Sequence, residues 1–447
     1  MTVLPGRRAL AADLAYDFGV GRIGDPGTWL LAGPSHVEGT EPLAGHLARL
    51  GPLPGLADPA GVLAAIHAGG LQGRGGGGFP VAEKLRTALT APGRPLVVVN
   101  ASESEPASRK DRTLCTLRPH LVLDGAAAAA AVVGADEVVV HAHRGSASAL
   151  EALRGAIGER LAASLPDPRW RLSVGPDRYV AGEASAIASL LSDGEARPRF
   201  SGQPMAVRGP SGRPTLVHNA ETMAQLGLLL RIGPERWRSA GAPSSPGPWL
   251  FTLAGGVDTP GQVVELVGRA TVGEVLTWAG MAAPPAAVLV GGYAGTWVDG
   301  SVAWQTPLDR VALDCVGASV GCGLLGVLPH GACGLVETAR LATYLAGESA
   351  GQCGPCVLGL PALADLVADL GRGDLGRWGL RRVRRLVGDL PGSGACSHPD
   401  GAARLVRSAL EVFDDDVVRH LAGRPCRASD HPPVFPVPAV DLSEGWS

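Results

Sequence analysis

The stretch Gly73-Arg74-Gly75-Gly76-Gly77-Gly78-Phe79-Pro80 constrains this chain more than any other. Five of its eight residues lack a Cβ, so the backbone can take positive φ without steric cost and its N–H groups can come close to a ligand. Pro80 stands where a helix should begin, because its fixed φ and missing donor suit the first helical turn. Val81-Ala82-Glu83-Lys84-Leu85-Arg86 continues as that helix. Orphan amides and the helix dipole make such a junction an anion cradle suited to phosphate. A flexible linker is the alternative for an isolated glycine run. Arg74, Phe79, Pro80 and Lys84 at fixed offsets oppose it.

Rare residues point to the same stretches. The chain holds two lysines, Lys84 and Lys110, against 37 arginines, and two asparagines, Asn100 and Asn219. A chain that uses Arg almost everywhere keeps Lys where a compact ammonium is needed rather than a planar fork. Pro95-Leu96-Val97-Val98-Val99-Asn100 reads as a buried strand running into the polar turn Ala101-Ser102-Glu103-Ser104-Glu105-Pro106. Ligands of α/β sheets bind beyond the carboxyl ends of strands, so this turn is well placed for a site.

The alternation continues with a helix over Leu121 to Val133, a strand over Glu137 to His141, a helix near Ser146 to Leu165 and a strand over Arg171 to Val174. It predicts an α/β unit with a largely parallel sheet over residues 56–240. Two further turns face the expected site. One is Arg178-Tyr179-Val180-Ala181-Gly182-Glu183-Ala184, opening a helix. The other is Thr215-Leu216-Val217-His218-Asn219, a short strand ending on asparagine.

Residues 1–55 read as an N-terminal extension packing on the body, and 247–330 as a small β-grasp-like domain of short strands and turns. Residues 331–420 read as a helical domain, with helices over Leu335 to Gly347, Leu360 to Arg372, Leu380 to Leu386 and Ala402 to Phe413. Residues 421–447 read as an extended tail.

Length, charge and leader bound the class. At 447 residues, two to four domains are expected. A net charge of −3 gives no reason to expect nucleic acid or an anionic membrane surface as partner. The longest apolar run, Gly125 to Ala135, is about half a membrane span, so no direct membrane insertion is expected. No apolar core segment follows Met1-Thr2-Val3-Leu4-Pro5-Gly6-Arg7-Arg8, and the expectation is a cytoplasmic protein.

Eight cysteines then favour metal ligation or burial over a disulfide framework. Cys353 and Cys356 stand two residues apart in Glu348-Ser349-Ala350-Gly351-Gln352-Cys353-Gly354-Pro355-Cys356, and Cys396 follows at the start of another helical stretch. Three thiolates from two loops suit an iron–sulfur site lacking one ligand. Zinc, with His398 as fourth ligand, is the competing reading.

Together these stretches resemble one family over residues 55 to 420. It is the NADH-oxidising flavoprotein subunit of respiratory complex I, shared with the diaphorase subunits of NAD-dependent hydrogenases and formate dehydrogenases. The motifs G-R-G-G-x-G-F-P, N-A-x-E-x-E-P-x-x-x-K-D-R, Y-x-x-G-E, G-x-P-T-x-V-x-N-x-E-T and E-S-x-G-x-C-x-P-C all stand here. The resemblance implies a multidomain α/β plus all-α protein: a Rossmann-like FMN domain, a ubiquitin-like β-grasp domain and a four-helix domain with a [4Fe–4S] cluster. It implies FMN held by Gly73, Arg74, Gly75, Gly76, Lys84, Asn100, Glu103, Tyr179, Gly182, Glu183, His218, Asn219 and Thr222. NADH would stack on the flavin beside Phe79, with Glu105 toward its ribose. Electrons would leave through a cluster on Cys353, Cys356 and Cys396 to a ferredoxin or a [2Fe–2S] subunit, within a larger redox complex. Hydride transfer by positioning needs no acid–base residue.

The departures from the pattern are specific. The first cluster cysteine is Ala350, which leaves a [4Fe–4S] centre with solvent, Ser349 or another non-cysteine ligand, a [3Fe–4S] centre, or no cluster. Cys322 and Cys333 are substitute candidates. An expected Asp is Ser102, the second Glu of a G-E-E run is Ala184, and an aromatic after Lys84 is replaced by Thr87. A K-P-P-F-P segment is replaced by Ser201-Gly202-Gln203-Pro204-Met205, and the first Asn of an N-N pair is His218. The flavin cradle is thus largely kept and the nucleotide-facing surface is thinned. Two alternatives to NADH oxidation follow: electron transfer from a protein donor, or a non-catalytic scaffold.

Overall fold

A computed structural model describes residues 20–447 apart from 55, 201, 425 and 441–444. The leader reading over residues 1–8 and the Ser201 substitution lie outside the described residues.

In chain order, β1 (Val20–Gly24) and α1 (Leu43–Leu50) precede α2 (Pro59–Gly69). The expected cap of α2 is in place, with the Asp58 carboxylate accepting from the Gly61 N–H at 3.0 Å. Then come α3 (Val81–Thr90), β2 (Leu96–Asn100), α4 (Lys110–Leu117), α5 (Pro119–Val133), β3 (Glu137–His143), α6 (Ala147–Ala162) and β4 (Arg169–Gly175). A 3-10 turn (Tyr179–Gly182) leads into α7 (Ala184–Asp193), followed by β5 (Thr215–Asn219), α8 (Ala220–Ile232) and α9 (Pro234–Ser239).

The four strands of this part form a wholly parallel sheet in the order β4-β3-β2-β5. The central strand β2 (Leu96-Val97-Val98-Val99-Asn100) and the Val138-Val139-Val140 run of β3 are apolar and buried, as expected where helices cover both faces of a parallel sheet, while the edge strand β4 carries Arg169 and Arg171 and is partly exposed. From β2 the chain first builds outward on one side, through β3 and β4, and later adds β5 on the other. The carboxyl ends of β2 and β5 are therefore the switch point at which such sheets bind ligands. Asn100 and Asn219, the two asparagines of the chain, are register partners there.

The middle of the chain supplies β6 (Trp249–Gly255), β7 (Val263–Val267), α10 (Val272–Trp278), β8 (Ala287–Val290), β9 (Thr296–Asp299), α11 (Gly300–Gln305), α12 (Arg310–Cys315) and β10 (Leu324–Leu328). Its mixed sheet runs β1-β7-β6-β10-β8-β9. The edge strand β1 pairs parallel with β7, Val20 opposite Val263. This part of the expected N-terminal extension is thus a strand of the second sheet. Its Val-Gly-Arg-Ile-Gly run carries too little apolar periodicity to announce a strand without its partner.

The last third holds α13 (Gly334–Gly347), α14 (Leu360–Arg372), α15 (Arg377–Asp389), α16 (His398–Val412) and α17 (Asp414–Leu421). Two differences from the expectation stand out. Helix α15 extends beyond Leu380–Leu386 at both ends. A fifth helix, α17, joins the four expected ones. Asp414, Asp415 and Asp416 fill its first turn and Arg419 lies in its last, charges that favour each helix end.

The C-terminal segment is extended, as its prolines predict, yet it is built into the body. The Phe435 ring is 2% exposed among Tyr293 and Trp297. A Cβ on Gly326 or Gly255 would come within 2.7 or 2.8 Å of that ring, so these two β-strand glycines make its socket. No helix of the described residues is long and apolar enough to cross a membrane.

Candidate functional site

The glycine loop is closed at its base. The Gly73 N–H donates to the Phe79 carbonyl at 3.0 Å, and the Val81 N–H to the Leu71 carbonyl at 2.9 Å. Gly76 and Gly78 have φ of 109° and 59°, values that exclude most side chains. Among the described residues the amides of Gly75, Gly76, Gly77 and Gly78 have no protein acceptor. Pro80 is the N-cap in extended geometry, with φ −60° and ψ 124°, and the helix begins at Val81. The expectation of Pro80 inside the first turn is off by one residue, because its φ suits either position.

Lys84 leans from α3 to the carboxyl end of β5, where its Nζ donates to the Val217 carbonyl at 2.6 Å. No carboxylate partners it among the described residues, and burial pulls its pKa down to about 8. A half-buried ammonium with only a carbonyl for partner is suited to receive an anion. His218, next along β5, is 5% exposed with no partner for its Nε2. Burial, with Lys84 nearby, holds it neutral, well below the usual imidazole value.

The ends of β2 and β5 are fixed by a polar scaffold. Asn100 donates through Nδ2 to the Gly182 carbonyl at 2.8 Å and accepts from the Ser102 N–H. Asn219 donates to Asp111 Oδ2 at 2.7 Å and caps α8 by accepting from the Glu221 N–H. Behind them the Lys110 ammonium bonds Asp111 at 3.1 Å and Glu221 at 2.9 Å, all three side chains buried. These charges hold one another, so Lys110 supports the site and offers no free cation to a ligand. The elements meet closely at two glycines: a Cβ on Gly75 would lie 3.2 Å from Asn219 Cβ, and one on Gly182 would displace the Ser104 hydroxyl, 2.1 Å away.

Four residues expected to touch the flavin, Arg74, Glu103, Glu183 and Thr222, engage their side chains with the protein itself. The Arg74 guanidinium is buried, stacked 3.5 Å over the Trp249 ring and bonded to the Pro246 carbonyl at 2.7 Å. Its backbone N–H meets Thr222 Oγ1 at 2.9 Å. Burial lowers its pKa to about 10, leaving it charged at neutral pH. Glu103 accepts from the Ser108 hydroxyl and from the N–H groups of Asp111 and Arg112, and so closes the first turn of α4. Glu183 caps α7 through the Ser185 and Ala186 N–H groups. Helix ends need such acceptors, and a motif shared with a family does not separate that duty from ligand contact.

Glu105 lies at the junction of all three parts of the fold. It is 7% exposed, its Oε2 accepts from the Tyr293 N–H at 2.8 Å and faces the Tyr179 hydroxyl at 3.5 Å, and its Oε1 has no protein partner. Burial pushes its carboxyl up to about 7, outweighing the Tyr293 and Ala107 N–H groups. A carboxyl whose pKa is raised on folding contributes stability that fades as pH climbs from the unfolded value near 4.5 through 7. We expect Glu105→Gln, which keeps the neutral shape, to raise the melting temperature of the flavin-free protein at pH 8 and not at pH 5. The gain at pH 8 is at most about 3 kcal/mol. Equal shifts at both pH values would contradict this.

Phe79 is 57% exposed beside the glycine loop, free to serve as a platform. The structure adds a second exposed aromatic, Phe200 at 80%, next to the segment where the family's stacking Phe is replaced. It stands ahead of that segment, and nothing in its local pattern marks it.

Cys353, Cys356 and Cys396 come together. They line one cavity with Val180, Pro198, Ala350 and His398. Partial burial pushes the Cys353 thiol up, but the N–H groups of Ala395 and Cys356 at its sulfur win and lower it. Burial takes Cys356 up to about 12, with Cys353 adding to the rise, and also raises Cys396. Thiols close enough to disfavour one another's ionisation suit a shared cationic centre, which would take all three as thiolates. His398 is buried, its Nε2 on the Leu345 carbonyl at 2.7 Å, so the proton sits on Nε2 and the unpartnered Nδ1 carries a lone pair. Neither substitute cysteine lines this cavity: Cys322 bonds the Gly291 carbonyl beside Glu105, and Cys333 faces His420.

The two sites share one short segment. Gly182 of the 3-10 turn receives Asn100, and Val180 of the same turn lines the cysteine cavity. Glu348, just before the cysteine loop, accepts from the Tyr179 N–H at 2.7 Å and pairs with Arg178 at 3.1 Å, both side chains buried. The phosphate-type cradle, the asparagine pair and the thiol cavity are thus one continuous structure, as in a flavoprotein that hands electrons to an iron–sulfur centre.

Comparison with known proteins agrees. Residues 66–227 match the family described as the Nuo51 FMN-binding domain, and residues 337–420 the NADH-ubiquinone oxidoreductase-F iron-sulfur binding region. The F subunit of the NADH-quinone oxidoreductase of Streptomyces coelicolor is 29% identical over 386 residues, covering 82% of this chain and 84% of that protein. Its counterpart in Aquifex aeolicus is 29% identical over 357 residues, covering 77% and 82%. Among solved structures, the NAD+-reducing [NiFe]-hydrogenase in its H2-reduced state superposes with a TM-score of 0.81 at 28% identity, over 94% of this chain and 70% of that one. Over most of its length the chain is similar to the F subunits of NADH-quinone oxidoreductase, and it carries matches to both their FMN-binding and iron–sulfur regions.

Proposed function

We propose that this chain is an FMN-dependent, NADH-oxidising subunit that passes electrons to an iron–sulfur centre of its own and from there to a partner. The observation that carries the reading is the Tyr179–Gly182 turn, one end on Asn100 and the other on the cysteine cavity. Bound in this cradle, FMN would supply a two-electron hydride acceptor able to release electrons singly.

The residues fit that cofactor. The free amides of Gly75 to Gly78 and the unpaired Lys84 ammonium suit a phosphate. Asn100, His218 and Asn219, at the ends of β2 and β5, suit the polar edge of a flavin ring. Thr222, Glu103 and Glu183 hold this frame in place from behind. Phe79 presents an exposed face to a nicotinamide, and the unpartnered Glu105 Oε1 is buried, so it would meet a hydroxyl of the nucleotide only once its carboxyl became accessible. The chain's work is to hold the two rings in contact and exclude water, and no side chain need exchange a proton with the substrate.

Cys353, Cys356 and Cys396 would hold the cluster. Ala350 offers no ligand, and the free Nδ1 of His398 is the donor in the cavity suited to the fourth position. The middle sheet is read as the β-grasp domain and the C-terminal helices as the cluster domain. A ferredoxin or [2Fe–2S] subunit within a larger redox complex is the expected electron acceptor, by analogy with the assemblies named for the relatives.

A second reading, a protein donor in place of NADH, is favoured by Ser102, Ala184 and Thr87 standing where the family pattern has polar or aromatic groups. Acid release of flavin and iron tests the shared part of both. The purified chain should carry close to one FMN together with iron and sulfide. A colourless protein that binds neither after reconstitution would leave only a scaffold.

A further inference from the structure

Two cysteines and a histidine outside the flavin and cluster sites converge in the C-terminal third. Cys333 is the residue before α13, His420 lies in the last turn of α17, and Cys426 follows that helix in the C-terminal segment. One ligand atom of each lies within 4.8 Å of the others. Cys333 and His420 are buried, and Cys426 is half-buried.

The state of the imidazole is decided by its partners. His420 Nδ1 lies 3.0 Å from the Leu370 carbonyl, which can only accept, so Nδ1 carries the proton. Nε2 then has a lone pair. It accepts from the Cys426 N–H at 3.1 Å and lies 3.7 Å from Cys333 Sγ. A metal-bound histidine is held in this way, with its second nitrogen donating to a carbonyl that sets the tautomer and ring angle. Two thiolates and one neutral imidazole are the donor set of a tetrahedral zinc site. Their combined charge of −2 also cancels that of the ion, which suits an enclosure with no carboxylate among the three ligands.

We propose that Cys333, His420 and Cys426 bind one Zn2+, separate from the iron–sulfur ligands, with Ser429 or water as fourth ligand. The Ser429 hydroxyl already lies 3.6 Å from Cys426 Sγ. Binding releases the two thiol protons, breaks the Cys426 N–H bond to His420 Nε2, and forms two Zn–S bonds and one Zn–N bond in place of zinc-bound water, with no change of oxidation state. The ion joins the start of α13, the end of α17 and the C-terminal segment. Eight or nine residues beyond Cys426 that segment delivers its Val434 N–H to Glu337 at 3.0 Å and the Phe435 ring to its socket. The site is therefore a staple that holds the strap in place.

The test is elemental analysis of the full chain reconstituted with zinc, after removal of loosely bound metal, with iron and flavin measured in the same samples. About one zinc per chain is expected in the wild type. Cys426→Ala, half-buried and so tolerant of change, should lose nearly all of it while keeping its flavin and iron. Replacing zinc by Co2+ should give thiolate-to-cobalt charge-transfer bands that Cys426→Ala and Cys333→Ala both lack. Loss of the ion should also speed carboxypeptidase trimming of the strap. A wild type without zinc, zinc retained by both variants, or a mass lower by two hydrogens that shows a Cys333–Cys426 disulfide would each overturn the proposal. Because the readout is zinc, failure here and failure of the flavin reading are distinguishable.

Discussion

Lys84→Ala weakens FMN binding by roughly 10- to 100-fold, the loss expected for one charge-assisted hydrogen bond of about 1.5–3 kcal/mol. The effect is large because Lys84 has no carboxylate to share its charge, whereas the other ammonium, Lys110, is taken up by Asp111 and Glu221. Folding is not expected to suffer in proportion, since the variant also removes a cation that burial penalises. Lys84→Met, which keeps the apolar stem, separates the two effects. It should lose FMN affinity like Lys84→Ala and keep the wild-type melting temperature. The pH dependence is a second signature. With the Lys84 pKa near 8 in the free site, the ammonium is present below that value and lost above it. Wild-type affinity should fall between pH 7 and 9.5, while the FMN phosphate stays fully charged. Lys84→Met should be flat over the same range. Fluorescence titration of the flavin checks both, and an unchanged affinity would place the phosphate elsewhere.

Ala350→Cys supplies a fourth thiolate to the cavity of Cys353, Cys356 and Cys396. The expected result is a centre holding about four irons after aerobic purification, with a changed electron paramagnetic resonance signal in the reduced state. His398 provides the internal comparison. In the natural background His398→Ala removes the free Nδ1 and should lower retained iron. Combined with Ala350→Cys the same change should have little effect, because the position is then filled by sulfur. Strong coupling between the two substitutions is what a shared ligand position requires. Iron content and spectrum unchanged by Ala350→Cys would mean that the cluster, if present, is not in this cavity.

The site was legible where chemistry and local pattern coincide. Lys84, Asn100 and Asn219 stand out because the chain spends Lys and Asn so sparingly, and each sits at the end of a readable strand or the start of a readable helix. Cys353 and Cys356 announce themselves by spacing. What escaped depends on partners remote in sequence. The Arg74 side chain turns from the loop it belongs to because Trp249 and Pro246 are waiting in another part of the chain. Glu103 and Glu183 carry family motifs, yet their carboxylates are spent on helix ends. Glu105 takes its raised pKa from a junction of three parts that no window of sequence contains. The same holds for β1, whose short Gly-containing run becomes a strand only against β7, and for Phe435, whose socket is two glycines on β6 and β10. Local periodicity predicts an element; it does not predict what that element will meet.

The proposed function rests on the glycine-loop cradle holding a flavin that NADH reduces. Anaerobic titration of the FMN-loaded protein, followed by flavin absorbance, is the decisive measurement. NADH should bleach the flavin, with reducing equivalents then passing to the iron–sulfur centre and recovered on adding an electron acceptor. A protein that binds FMN stoichiometrically but is bleached by neither NADH nor NADPH, while a reduced ferredoxin bleaches it, would rule out the nicotinamide as donor.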